Sequence, residues 1–146
     1  MIMAATHFSG PVYSTNGFIG ATGQVMITNT PAATSITTAG NVTYTAAQLL
    51  SGTIVRDPNG AARTDVLPTA ALLVAAMGAS ATVGASFSFL LSNAADAAET
   101  VQITMGSGGT SGGPTVLATI AQNSSRVFTV RLTNVTAGAE AYTVYA

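Results

Sequence analysis

The sequence predicts a mainly β fold, an antiparallel jelly-roll-like sandwich or barrel with one short helix and an extended N-terminal arm. Three observations carry that prediction. From residue 84 onward, apolar and polar side chains alternate with the period of two that half-buried strands require. Clusters of Gly, Pro, Asn, Asp and Ser cut this region into strand-length pieces joined mostly by hairpin-length connections. Only one stretch, Pro68 to Gly78, has the composition and length of a true helix. At 146 residues the chain is expected to form one β domain over 25–146, preceded by an arm over 1–24.

Taken in order, residues 1–24 have little periodicity but carry Phe8, Tyr13 and Phe18 among Ser9-Gly10-Pro11 and Asn16-Gly17. The segment is too apolar for a solvated tail and too punctuated for a long element. It reads as an arm ordered by lying on a neighbour, and equally as an edge strand of the same domain. Gly23 to Thr28 is expected to be a strand that stops at Asn29-Thr30-Pro31. Ser35–Thr38 and Asn41–Tyr44 are β-rich stubs. Thr45 is placed to cap a single helical turn over Ala46–Leu50, which Gly52 ends.

Thr53-Ile54-Val55 leads as a strand into Arg56-Asp57-Pro58-Asn59-Gly60. There proline presets φ at the turn corner, and Asn-Gly accepts the positive φ that follows. Arg63 and Asp65 bring a second Arg/Asp pair close to Arg56 and Asp57. The expectation is an ion-pair network of these four residues that pins the loop, the alternative being an anion or partner contact. The helix Thr69–Met77 follows Pro68 and ends at Gly78. It is apolar nearly all round and must be covered on most faces, by the end of a barrel or by another subunit.

In the next strand Phe87, Phe89 and Leu91 share one face, with Ser86, Ser88 and Leu90 on the other. Asn93–Ala98 connects it to a strand that aligns Val101, Ile103 and Met105. Gly106–Pro114 is expected to be a mobile hairpin tip. Strands over Thr115–Ala121 and Ser125–Val135 follow, the latter aligning Phe128, Val130 and Leu132. Ala137–Glu140 turns the chain into a last strand over Ala141–Tyr145.

Charged residues are 6% of the chain, against about 25% in an ordinary soluble domain. All the basic residues are arginines (Arg56, Arg63, Arg126, Arg131), histidine occurs once, at His7, and cysteine, lysine and tryptophan do not occur. A net charge of −1 gives no basic face for a nucleic acid and no polybasic membrane patch. The charge-free run from Val66 to Ala95 is long enough to span a bilayer, but Pro68, Gly78 and Gly84 interrupt it and its second half alternates. The first residues lack the features of a secretory signal, so the expectation is a protein made and used without export.

This inventory leaves little for catalysis. A serine nucleophile needs a rigidly held base, and His7 sits in the arm; Gly109-Thr110-Ser111-Gly112-Gly113 matches a nucleophile elbow only in composition. Asp57 and Asp65 each lie beside an arginine, which favours the carboxylate over the acid a glycosidase needs. Zinc lacks ligands. Calcium held by Asp96, Glu99 and backbone carbonyls is conceivable, but no Asp-x-Asp-x-Asp-Gly loop occurs. The glycine run ends in no Lys-Ser/Thr and leads into a strand, so it is no phosphate cradle. The sequons at Asn41, Asn123 and Asn134 fit the statistics of a Ser/Thr/Asn-rich chain. The expectation is no catalytic residue, no cofactor and no metal site.

Three segments carry a resemblance. Ser51–Ala70, with Arg56-Asp57-Pro58-Asn59-Gly60 and Arg63-Thr64-Asp65 inside it, Val83–Phe89, and Ser125–Val135 together look like the capsid decoration, or cement, proteins of tailed bacteriophages. The likeness covers roughly residues 50–146. It implies a β-barrel or jelly-roll protein, commonly a homotrimer, that sits on the outer surface of the virion and clamps neighbouring major capsid subunits without enzymatic activity. It implies synthesis in the host cytoplasm and an arm, here 1–24, reaching across the shell through Phe8, Tyr13 and Phe18. The alternative from another class is a carbohydrate-binding β-sandwich module of a phage fibre or spike, which calls for an exposed row of aromatic rings.

Overall fold

The computed structural model describes residues 32–113 and 118–146, together with the backbone strands Phe18–Ile19 and Val25–Met26. The chain forms two compact units, Met1–Thr30 and Pro31–Ala146. In the first, β1 (Phe18–Ile19) pairs antiparallel with β2 (Val25–Met26), setting Phe18 opposite Met26.

The second unit is mainly β, with two sheets and short helices. Its elements are β3 (Thr34–Ile36), α1 (Ala46–Leu50), β4 (Thr53–Arg56), β5 (Arg63–Val66), α2 (Ala70–Met77), β6 (Ser86–Asn93), β7 (Val101–Thr104), β8 (Gly109–Ser111), β9 (Ala118–Ile120), β10 (Ser125–Asn134) and β11 (Ala141–Tyr145). A six-stranded sheet runs β3-β4-β6-β10-β11-β8, and a three-stranded sheet runs β5-β7-β9. From β4 to β10 the chain alternates between the two sheets at every step.

That alternation corrects the expected antiparallel pairing. β6–β10, β10–β11 and β7–β9 are antiparallel, but β3–β4, β4–β6, β8–β11 and β5–β7 are parallel. A period of two identifies a half-buried strand without saying which sheet it joins or in which direction its neighbour runs. The short connections lead across the sandwich, so neighbours within a sheet come from distant segments. Parallel neighbours need long crossovers, and α1 supplies part of the one between β3 and β4.

The alternating faces form the core as their spacing predicts. Phe89 and Leu91 of β6, Phe128, Val130 and Leu132 of β10, and Tyr142 and Val144 of β11 face Val101, Ile103, Ala118 and Ile120 of the smaller sheet, all buried. Phe89 and Phe128 stack with ring centroids 5.2 Å apart. Each large side chain buried in this way contributes about 1.5–3 kcal/mol. Both helices start as their sequences dictate. Thr45 and Gln48 form a reciprocal capping box on α1, and the Thr69 hydroxyl accepts from the Leu72 amide on α2. Gly78, at φ 53°, ends α2.

The glycine run differs from the expected mobile tip. Gly109–Ser111 is an edge strand parallel to β11, and a Cβ at Gly109 or Gly112 would collide with the Tyr142 or Tyr145 ring. Glycine is needed there because two aromatic rings lie against the backbone.

Candidate functional site

The loop that sequence reasoning singled out is held by a buried network joining the two sheets. Alternation turns Arg56 of β4 and Asp65 of β5 inward, both at 0% exposure, where Arg56 Nε lies 2.9 Å from Asp65 Oδ2. The guanidinium also donates through Nη1 to the carbonyls of Thr38 (2.8 Å) and Asp57 (2.6 Å) and through Nη2 to that of Gly40 (2.6 Å). A longer Nη2 bond, 3.5 Å, reaches Asp65 Oδ1. The carboxylate further accepts from the Tyr44 hydroxyl at 2.8 Å and the Val42 amide at 2.9 Å. Burial, then the adjacent Asp65 carboxylate, push the Tyr44 hydroxyl far above the usual phenol range.

With every Arg56 donor used inside the domain, the arginine has none to offer an anion or a partner. Asp57 and Arg63 act differently: among the described residues they form no ion pair with each other. Asp57 Oδ1 accepts from the Asn59 amide at 2.9 Å, and Arg63 donates to the carbonyls of Pro58 and Asn59 at 2.9 and 3.1 Å. Asn59 and Gly60 take the positive φ the turn requires, 51° and 92°. The loop is thus pinned by one buried ion pair and several backbone contacts.

A second cluster lies beyond the ends of β4 and β6. Their parallel register sets Arg56 beside Asn93, and the Ala94 amide donates to the Arg56 carbonyl at 2.8 Å. Asn93, fully buried, fixes the following loop: its Nδ2 donates to the carbonyls of Glu99 (2.8 Å) and Ile120 (3.0 Å), and its Oδ1 accepts from the Ala95 amide (3.1 Å). Asp57, Asp96 and Glu99 are brought together with carboxylate oxygens within 4.8 Å of one another. At that separation two unit charges repel by on the order of 3 kcal/mol at an effective dielectric of about 20. Sequence reasoning had paired Asp96 with Glu99 but placed Asp57 elsewhere, because only the parallel pairing of β4 with β6 unites them.

The third feature is the outer face of α2. Ala70 and Leu73 are buried, but Leu72 is 56% exposed, and Ala71, Ala75 and Ala76 are exposed with it. The covering that so apolar a helix calls for is not supplied on this face by the described residues. An open polar depression of about 190 Å³, lined by Ala62, Arg63, Thr64, Thr100, Gln102 and Thr119, is smaller than an ordinary ligand pocket of roughly 300–1,000 Å³. Among the described aromatic residues only Tyr145 is largely exposed, so they offer no row of rings for sugar stacking. No helix among the described residues is long and apolar enough to cross a membrane. Of the residues expected in the arm, His7, Phe8 and Tyr13 lie outside the described residues, and Phe18 is placed in β1 by its backbone.

No family model, no curated protein and no solved structure matches this chain.

Proposed function

We propose that the chain is a structural virion protein that binds the outer surface of a phage capsid and cements neighbouring major capsid subunits, as its resemblance to decoration proteins implies. The observation that supports it best is the surface of the β domain. Of the nine charged side chains, only Asp96, Arg126 and Arg131 are exposed, while Leu72, Val83, Val127 and Tyr145 stand in solvent at 45–65% exposure. A surface so short of charge suits close packing against other subunits, where buried charges would have to be desolvated. In this reading the chain is a homotrimer without enzymatic activity or cofactor, and it binds neither nucleic acid nor membrane. Residues 1–24 are the arm, with Phe8, Tyr13 and Phe18 on the capsid. The two packed β layers stand for the jelly-roll-like body. It is made in the host cytoplasm and resides on the virion.

Sedimentation of the purified chain, alone and with empty heads, tests the reading. The expected result is a trimer that co-sediments with heads. Deleting residues 2–20 should abolish head binding and leave a folded trimer, and Leu72→Glu should weaken association while the chain keeps its β-sheet circular dichroism. A monomer indifferent to heads would refute it.

A further inference from the structure

We propose that Asp57, Asp96 and Glu99 form a binding site for a hard divalent cation, calcium by its chemistry, that staples the turn after β4 to the loop after β6. The carboxylate cluster is one observation, and the state of Glu99 is a second, independent one. Glu99 is only 7% exposed, yet its Oε2 is buried with no hydrogen-bond partner among the described residues. A buried carboxylate oxygen without a donor has lost its water and gained nothing in return. No arginine pairs with it among the described residues. Arg56 is spent across the sandwich on Asp65, and Arg63 bonds to carbonyls of the turn. A cation between the three carboxylates supplies the missing partner and removes their mutual repulsion at once.

The donor set selects the ion. Among the described residues there is no cysteine or histidine, so the site offers oxygen alone, which suits hard cations. Oxygens within 4.8 Å of one another can share one ion at the calcium–oxygen distance of about 2.3–2.6 Å. Magnesium requires shorter bonds of about 2.0–2.1 Å and sheds water reluctantly, which disfavours contact with a buried carboxylate. Asp57 is half-buried and Asp96 exposed, leaving one side of the site open for water ligands and for entry of the ion.

Calorimetric titration of the full chain with calcium chloride, after treatment with a chelator, tests the site, alongside thermal unfolding with and without calcium. One calcium per chain is expected. At a calcium concentration about 100 times the dissociation constant, the ratio of folded to unfolded chain should rise about 100-fold. Asp96→Asn, at an exposed position, should fold normally and weaken binding about 10-fold or more through the lost charge. Glu99→Gln should remove the calcium response, while Glu140→Gln, away from the cluster, should keep it. Magnesium should bind about 10-fold more weakly or less well still. No heat and no change in melting up to about 10 mM calcium, beyond the range of weak calcium modules, would overturn the assignment. So would a calcium response that survives in both Asp96→Asn and Glu99→Gln, or an equal response to magnesium.

Discussion

Replacing Asp65 by asparagine tests the link between the two sheets most directly. The carboxylate receives four donors: Val42 N and Arg56 Nη2 on Oδ1, and Tyr44 Oη and Arg56 Nε on Oδ2. An amide of the same shape has one acceptor oxygen. Whichever way it turns, its NH₂ group meets either the Val42 amide or Arg56 Nε, donor against donor. The substitution also leaves the Arg56 charge, at 0% exposure, without its counter-charge. Breaking a buried ion pair from one side costs about 3–5 kcal/mol. For a domain of this size that lowers the melting temperature by roughly 10–20 °C. Circular dichroism at neutral pH reads the shift. Replacing both partners, Arg56→Met with Asp65→Leu, removes the stranded charge along with its counter-ion and should be more stable than Asp65→Asn alone. A loss below about 1 kcal/mol for Asp65→Asn, a size typical of exposed pairs, would refute the reasoning.

Two further predictions concern the β11 tyrosines. Gly109→Ala should cost about 1–3 kcal/mol, because its Cβ would strike the Tyr142 ring, whereas Gly113→Ala, which meets nothing within 4 Å, should stay within about 0.5 kcal/mol of the parent. Equal urea midpoints for the two variants would contradict this account of the glycine run. Burial pushes the Tyr142 hydroxyl up to about 12, against 10.0 for a free tyrosine, although the Gly106 amide donating to it works the other way. Its contribution to stability is therefore intact below about pH 10 and is lost as pH rises towards 12, by about 1.4 kcal/mol per unit, with Tyr44 acting in the same direction. Urea midpoints measured across this range should fall, less steeply in Tyr142→Phe; a flat profile would contradict the burial argument.

Much of the local structure was legible in the chain. Phe89, Leu91, Phe128, Val130 and Leu132 are buried as their alternation requires, Thr45 and Gly78 sit at helix ends, and Asn59-Gly60 turns with positive φ. These features depend on neighbours a few residues away, so the sequence encodes them directly. What could not be read was which strands lie side by side. Arg56, Asp57, Arg63 and Asp65 are close enough in sequence to predict one local ion-pair network pinning the loop, but among the described residues only Arg56 and Asp65 form an ion pair. They meet instead in the interior, because β4 and β5 belong to opposite sheets. The carboxylate cluster stayed hidden for the same reason, since its third member arrives through the β4–β6 pairing. The composition of the glycine run fits a mobile tip as well as a strand pressed against tyrosine rings, so the sequence alone does not separate the two.

The back-and-forth course of the chain between the two layers governs how the domain must assemble. Neither layer can be completed on its own: β6 waits for β10, and β5 waits for β7, across long intervening stretches. Such distant partnerships make for slow folding, during which apolar strand edges stand open. Once closed, the same interleaving binds both layers into one cooperative unit, so a local breach in either should propagate to the whole.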